Sequence, residues 1–124
     1  MNYKYWNENT LELCGLITEG GEFEVRVAGD TLVDEIEDKL DLDDDDQVTV
    51  KYYISNEPID PKTVVEDFLT AFYGNMEISG QWLCGSEWTG VYGKDDIFEV
   101  DGHDIIEELY RNKGSYCYIK IEKV

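Results

Sequence analysis

The stretch Thr10-Leu-Glu-Leu-Cys-Gly-Leu-Ile-Thr-Glu-Gly-Gly-Glu-Phe-Glu-Val-Arg-Val27 decides the fold class of this chain. Residues 22–27 alternate strictly between apolar and charged side chains, which is the pattern of a half-buried β-strand. Residues 10–17 alternate in part, and Glu19-Gly20-Gly21 supplies a turn between the two runs. The stretch therefore predicts a β-hairpin. Its apolar face in the second strand is Phe23, Val25 and Val27, opposite Glu22, Glu24 and Arg26.

Apolar residues at helical spacing predict three helices outside this hairpin. The first has its predicted N-cap at Asp30 and an apolar stripe of Leu32, Val33, Ile36 and Leu40. The second begins at Asp60-Pro61 and stops at Gly74. Its predicted buried stripe is Val64, Val65, Phe68, Leu69 and Phe72. The third covers residues 103–111 and is built on Ile105, Ile106 and Leu109.

Four more runs predict strands, at residues 47–55, 76–83, 97–100 and 116–124, with a turn at Asp101-Gly102. Strands interleaved irregularly with short helices predict an α+β fold, with a mostly antiparallel sheet of about five or six strands and about three helices. The 124 residues include two prolines, and we recognise no linker and no internal repeat. We therefore expect a single acidic domain over residues 1–124.

The net charge of −19 is concentrated in two segments. The first acidic segment, residues 30–46, holds ten carboxylates and one cation, Lys39, and the second, residues 95–108, holds seven carboxylates and no Lys or Arg. Like charge at this density raises self-repulsion in a small domain. A strongly basic partner is the requirement that would favour it.

The same charge excludes several classes of function. Direct binding to nucleic acid needs Lys and Arg to displace counterions, and an anionic lipid surface repels a negative protein. No apolar run follows a basic N-terminal region, and none approaches the length of a membrane span. Three cysteines, Cys14, Cys84 and Cys117, are odd in number and widely spaced, which favours a reduced, cytoplasmic setting.

The run of carboxylates at residues 41–46 invites comparison with a calcium-binding loop. In an EF-hand register that begins at Asp41, the glycine position is Asp46 and the bidentate glutamate position is Tyr52, so that motif is rejected. Weak binding of divalent ions, a loop that only keeps the protein soluble, and a salt-adapted surface remain as alternatives. The sequence contains no other metal-ligand set or cofactor motif.

Mimicry of nucleic acid is the sharper hypothesis for these carboxylates. Residues four apart on a helix lie about 5–6 Å from each other, and duplex DNA carries one negative charge per ~1.7 Å of axis. Pairs such as Asp34 with Asp38 therefore approach the spacing of phosphates. The predicted partner-binding carboxylates are Asp34, Glu35, Glu37, Asp38, Asp41, Asp43, Asp44, Asp45 and Asp46.

Trp88 and Tyr92 lie among glycines and small polar residues in Gly85-Ser-Glu-Trp-Thr-Gly-Val-Tyr-Gly93. Such a loop suits recognition, since Trp and Tyr are enriched among residues that dominate binding energy. We add both to the predicted partner-binding set, with cover for one end of the sheet as the structural alternative. A small adaptor or ligand-binding module that uses this loop, with incidental charge, is the alternative function.

His103 is the single histidine, so catalysis would need it to act with a cysteine. Nothing in the spacing supports such a dyad, and no sequence motif for a catalytic nucleophile or phosphate loop occurs. The sequence therefore predicts a protein that is not an enzyme and uses no cofactor.

Three stretches of the C-terminal third resemble a pattern in short uncharacterised phage-type proteins: Ser86-Glu-Trp-Thr-Gly90, Gly102-His-Asp-Ile-Ile-Glu-Glu-Leu109 and Gly114-Ser-Tyr-Cys-Tyr-Ile-Lys-Ile121. The resemblance implies a phage context, hence an anti-defence role in the host cytoplasm, and transfers no site residue. The composition is similar to that of acidic mimics among anti-restriction and anti-CRISPR proteins. The expected partner is a basic nuclease or Cas-type effector. A homodimer stays open.

Overall fold

The computed structural model describes residues 2–21, 24–40, 42, 46–60, 62, 70–83 and 93–124. Within these ranges the chain forms nine strands and two helices. The strands are β1 (Tyr3–Trp6), β2 (Thr10–Gly21), β3 (Glu24–Val27), β4 (Asp30–Thr31), β5 (Gln47–Ser55), β6 (Thr70–Leu83), β7 (Gly93–Val100), β8 (His103–Asp104) and β9 (Tyr116–Lys123). The helices are α1 (Leu32–Leu40) and α2 (Ile105–Arg111).

All nine strands belong to one antiparallel sheet in the order β4-β3-β2-β9-β5-β6-β7-β8, and β1 pairs with part of β2. The predicted hairpin is confirmed, with Ile17 opposite Val27. The predicted turn at Glu19-Gly20-Gly21 was wrong, because β2 runs through these residues and pairs with β3 up to Gly21; Glu22 and Phe23 lie outside the described residues. The α+β class and the mostly antiparallel sheet are also confirmed. The predicted count of strands was too low, because the periodicity of the sequence did not indicate β1 or the two-residue strands β4 and β8.

Both helices pack on the same face of the sheet. The stripe of α1 and the residues Ile105, Ile106 and Leu109 of α2 join a single buried cluster with alternate residues of the strands. The register places Leu11, Ile121 and Val50 side by side across three strands of that cluster. Strands β3 and β7 also contact each other, although four strands separate them in the sheet. The sheet therefore curls around a shared core.

The opposite face of the sheet is rich in tyrosine. A second cluster there contains Cys14, Ile59 and Tyr118, packed against Tyr3, Tyr53 and Tyr116. Ile59 comes from the segment after β5, and its carbonyl accepts a hydrogen bond from the Cys14 thiol at 3.6 Å. This segment therefore covers part of the face that the helices leave open.

The chain contains an internal duplication that the sequence analysis missed. Elements β2-β3-β4-α1-β5 form the first half, and β6-β7-β8-α2-β9 repeat the same order in the second half. The likeness in sequence is limited to Val27-Ala-Gly-Asp-Thr-Leu-Val-Asp-Glu-Ile36 and Val100-Asp-Gly-His-Asp-Ile-Ile-Glu-Glu-Leu109. Exchanging the halves reverses the strand order onto itself, so the expectation of no internal repeat was wrong.

Each half exchanges its last strand with the other half. Strand β9 pairs with β2, β5 pairs with β6, and the two exchanged strands pair with each other at the centre of the sheet. Lys51 lies opposite Lys120 in this central pair, and the two lysines occupy equivalent positions in the halves. A pseudo-two-fold axis therefore passes through this pair.

The equivalent turns, between β3 and β4 and between β7 and β8, have the same unusual geometry. Ala28 and Gly29 in the first half, and Asp101 and Gly102 in the second, all have positive φ, as a two-residue hairpin turn of the mirror-image type requires. The first residue of each turn lies close to a glycine in the long strand of its half. A Cβ built on Gly15 would approach Ala28 Cβ to 2.7 Å, and one built on Gly74 would approach Asp101 Cβ to 2.5 Å.

Two predicted helix features need correction. Residues 70–74 continue β6 instead of ending the second predicted helix, and residues 61 and 63–69 of that prediction lie outside the described residues. Asp30 belongs to β4, where it pairs with Val27, so it is not the N-cap of α1. The third helix is confirmed from Ile105, with Asp104 as N-cap: its carboxylate accepts from the Glu107 N–H at 2.9 Å.

We predict that Gly15→Ala destabilises the fold by about 1–3 kcal/mol, because the added methyl group meets backbone and Cβ atoms of Ala28 in a packed turn. Urea unfolding followed by circular dichroism measures the change. Gly29→Asn is the matched control, because asparagine tolerates positive φ and nothing lies within 4 Å of a Cβ there. Equal losses in the two variants would contradict the close approach.

Candidate functional site

The outer side of α1 carries the described part of the first acidic segment. Asp34, Glu37 and Asp38 are exposed, while the apolar stripe of the helix is buried. The helix dipole favours negative charge only in the first turn, so Glu37 and Asp38 gain nothing from it. Asp34, which lies in the first turn, forms with them an anionic ridge, named here the α1 ridge, and the helix dipole does not account for the charge at Glu37 and Asp38.

Glu35 was predicted to meet a partner, and the structure gives it a different contact. Its side chain is 15% exposed, and its carboxylate lies 2.9 Å from Lys4 Nζ, which also contacts Asp30 at 3.2 Å. Burial alone would lower the pKa of Lys4, but hydrogen bonds from Lys4 to Glu35 and Asp30 raise it. Lys4 therefore stays charged and neutralises part of the first acidic segment from within the fold.

Part of the second acidic segment lies at the start of α2 and in the turn before it. Asp101, Asp104 and Glu107 are exposed. Glu107 pairs with Arg111 at 2.6 Å, one turn along the helix. Because both helices pack on the same face of the sheet, the exposed carboxylates of α1 and α2 lie on the helix-bearing face.

Several predicted site residues cannot be placed. Asp41, Asp43, Asp44, Asp45, Trp88 and Tyr92 lie outside the described residues. Asp46 is half-buried, and its carbonyl accepts a hydrogen bond from the Met76 N–H at 2.9 Å. Of the nine predicted carboxylates, the structure brings Asp34, Glu37 and Asp38 together on an exposed surface.

An exposed tryptophan beside α1 was not predicted as a site residue. Trp6 of β1 is 49% exposed, and its ring packs under the ammonium groups of Lys39 at 4.7 Å and Lys4 at 5.6 Å. The cation–π contacts hold the ring next to the helix that carries the α1 ridge. The aromatic stretch Tyr3-Lys-Tyr-Trp6 is visible in the sequence. Only the pairing of β1 with β2 brings Trp6 next to α1.

A groove between β6 and α2 is the second feature that the sequence did not reveal. It is a cavity of about 290 Å³. The His103 ring packs on Phe72 with centroids 4.2 Å apart, and Phe72 packs on Tyr52 at 5.9 Å. Burial and the nearby charge of Glu108 raise the pKa of Tyr52 to about 12, so its hydroxyl stays protonated. The remaining polar lining is Asp104, Glu107, Glu108 and Arg111.

The described thiols are not activated nucleophiles. Burial raises the pKa of Cys117 well above its usual range, and burial followed by the charge of Asp60 raises that of Cys14. A nucleophilic cysteine needs a lowered pKa. Within the described ranges, no three His, Cys, Asp or Glu side chains are grouped to hold a metal ion, and no helix is long and apolar enough to span a bilayer.

No protein-family model, no curated protein and no solved structure matches this chain. The function therefore has to be argued from the charge, the exposed side chains and the grooves of the chain itself.

We predict that Lys4→Met lowers the free energy of unfolding by about 1–3 kcal/mol, because Glu35 loses its partner in a mostly buried position. Thermal and urea unfolding measure the loss. Lys123→Met, at an exposed position, should change stability by less than about 0.5 kcal/mol. Adding Glu35→Leu to Lys4→Met should restore most of the stability, since both polar partners are then removed. A Lys4→Met protein as stable as wild type would contradict a stabilising role for this half-buried ion pair.

Proposed function

We propose that this protein is a non-enzymatic, stoichiometric inhibitor that occupies the basic nucleic-acid-binding groove of a nuclease or Cas-type effector. It would act in the host cytoplasm, in the manner of phage anti-restriction or anti-CRISPR proteins. The observation that supports this function is the α1 ridge, whose three carboxylates are exposed on the helix-bearing face of the sheet.

The geometry of the α1 ridge suits a surface that binds phosphate-recognising side chains. Asp34 and Asp38 are one helical turn apart, hence about 5–6 Å. Lys39, the single cation of the first acidic segment, is turned toward Trp6. Arg and Lys side chains that normally meet a phosphate backbone would find a row of carboxylates here, with the nearest cation engaged by an aromatic ring.

Charge alone would make this association fast and salt-dependent without making it tight. Electrostatic steering raises association rates to about 10⁸–10⁹ M⁻¹s⁻¹ at low salt, whereas an exposed ion pair contributes roughly 0–1 kcal/mol. Tight binding needs a desolvated anchor at the centre of the contact. Among the described residues, Trp6 supplies an exposed aromatic ring next to the α1 ridge.

We predict that Glu37→Lys/Asp38→Lys weakens inhibition by about tenfold or more, because two attractive contacts become repulsive. Proteins captured from bacterial lysate at low salt and released by high salt are purified. Each is then tested for competition between this protein and a labelled duplex DNA or guide RNA by fluorescence anisotropy. Wild type should displace the nucleic acid, and its apparent affinity should fall steeply as salt rises.

The matched control is Glu57→Lys/Glu77→Lys, which changes the net charge by the same amount at exposed positions away from α1. It should retain most of the inhibition. Equal losses in both double variants would mean that net charge matters and the α1 ridge does not. A captured partner that binds this protein and nucleic acid at the same time would refute the proposed mimicry.

We predict that Trp6→Ala weakens the same competition by about tenfold, since an interface tryptophan is commonly worth 2 kcal/mol or more. The loss should appear as faster dissociation, with the association rate and its salt dependence nearly unchanged, in contrast to the charge reversal. Stopped-flow and surface plasmon resonance separate the two rates. Tyr73→Ala, at an exposed tyrosine of β6, is the control. Unchanged dissociation in Trp6→Ala would remove Trp6 from the interface.

A further inference from the structure

Tyr52 contributes a buried hydroxyl to the groove between β6 and α2. The residue is 7% exposed and lines the cavity of about 290 Å³. Within the described part of the chain, no group forms a hydrogen bond with this hydroxyl. Buried polar groups in native proteins are nearly always hydrogen-bonded, so an unsatisfied hydroxyl that borders a groove indicates a ligand.

The duplicated architecture does not itself require a hydroxyl at this position. Because Lys51 and Lys120 are equivalent, the counterpart of Tyr52 in the first half is Ile121. Ile121 is fully buried, and its side chain has no polar atom. The fold therefore closes this position with an aliphatic side chain in one half, and the hydroxyl is a property of the groove in the other half.

Glu108 supplies a carboxylate close to the Tyr52 hydroxyl. It is half-buried, it lines the same groove, and its charge acts on Tyr52. Among the described residues, no Lys or Arg forms an ion pair with it. Glu35, the equivalent residue of α1, lies 2.9 Å from the ammonium group of Lys4. The first half therefore shows that a carboxylate at this position of the helix accepts an ammonium group.

The rest of the lining favours an organic cation. Asp104 and Glu107 add two carboxylates, and the one cation of the lining, Arg111, is paired with Glu107 at 2.6 Å. The ring of His103 packs on Phe72 and covers that wall, so the contacts open to a ligand are polar. Within the described ranges, these carboxylates are not grouped to hold a metal ion. The lining therefore suits a cation that carries its own N–H donors.

We propose that the groove binds a primary ammonium group on an alkyl chain, which donates one N–H to the Glu108 carboxylate and another to the Tyr52 hydroxyl oxygen. A primary ammonium group has three donors, so it can satisfy both acceptors at once. The bond to the carboxylate is charge-assisted and hence the stronger of the two. The inference does not rest on the proposed inhibition of a nucleic-acid-binding protein, because Tyr52 and Glu108 support it by themselves.

The test uses n-butylammonium as the probe. Its titration into the ¹⁵N-labelled wild-type protein, at constant ionic strength, should shift the amides of residues 52, 72 and 103–108 and saturate with a Kd below about 10 mM. Two matched probes should bind at least about tenfold more weakly. One is 1-butanol, which has the same length and no charge, and the other is tetramethylammonium, which has the charge and no N–H donor.

Two further probes distinguish the sources of such a group. Nα-acetyl-lysine methylamide represents the side chain of a partner protein, and 1,4-diaminobutane represents a free polyamine. The probe that binds more tightly assigns the source, and both should compete with n-butylammonium for the same amides. Failure of both to compete would contradict the proposal.

Two variants test the assigned acceptors. Tyr52→Phe removes the hydroxyl and keeps the buried ring, so it should retain the fold and weaken n-butylammonium binding at least about threefold. Glu108→Gln keeps the shape and removes the charge, so the loss should be at least about tenfold. The matched controls are Tyr53→Phe, on the opposite face of the sheet, and Glu57→Gln, at an exposed position.

Three outcomes would overturn the proposal. In the first, 1-butanol or tetramethylammonium binds as tightly as n-butylammonium. In the second, Tyr52→Phe and Glu108→Gln bind like the controls. In the third, the shifts are spread equally over α1 and α2, which would mean general attraction of a cation to a protein of charge −19. The probe comparisons use wild type, so they stand even where Glu108→Gln fails to fold. None of these results bears on competition with nucleic acid, so the two proposals fail independently.

Discussion

The pairing of β5 with β9 is the interaction on which the rest of the structure depends. Each of these strands closes one half in sequence but pairs with the first strand of the other half. Separating the halves would expose the edges of β2, β5, β6 and β9 together, along with the apolar residues on their helix-bearing face. The buried cluster contains residues from both halves, so neither half has a core of its own. The fold is therefore cooperative across the duplication, and its two acidic helices are held in a fixed relation.

Among the described carboxylates, Asp96 is the one that is buried, at 3% exposed, and the others are at least partly exposed. The hydrophobic cluster between the helices and the sheet consists of aliphatic and aromatic side chains with Met76 and Cys117. The core therefore tolerates the net charge of −19 because nearly all of the described carboxylates reach solvent. Among the described residues, Lys4 with Asp30 and Glu35, and Lys113 with Glu19, are ion pairs between distant segments, and Arg111 with Glu107 is one within α2. Hydrogen bonds from Tyr110 and Lys113 lower the pKa of Glu19, which joins the end of β2 to the end of α2. Glu37 and Asp38 of the α1 ridge gain nothing from the dipole of their helix, and we propose a partner to account for their charge.

The spacing of apolar residues predicted those strands and helices in which the buried face is unambiguous. Strict alternation predicted the hairpin and the bounds of β5, and helical spacing predicted α1 and α2 within two residues. Residues 70–74 were assigned to a helix because Phe72 follows Phe68 and Leu69 at helical spacing, whereas Thr-Ala-Phe-Tyr also has the alternation of a strand. Pairing with β5 resolves that ambiguity, and such pairing is long-range. The exchange of β5 and β9 between the halves is likewise determined by pairing between distant segments, so no local sequence pattern indicates it.

The candidate sites were less predictable than the fold, for a related reason. The acidic segments were visible in composition, but the burial of Glu35 depends on Lys4, more than twenty residues away in the chain. Trp6 becomes a neighbour of α1 only after β1 pairs with β2. The groove between β6 and α2 is likewise formed by segments that are distant in the chain: Phe72 belongs to β6, whereas His103 and Glu108 belong to β8 and α2. No local pattern brings these residues together, because their contact depends on the pairing of β6 with β7 and of β7 with β8. The sequence therefore shows which side chains are available to form a site, and long-range pairing decides which of them become neighbours.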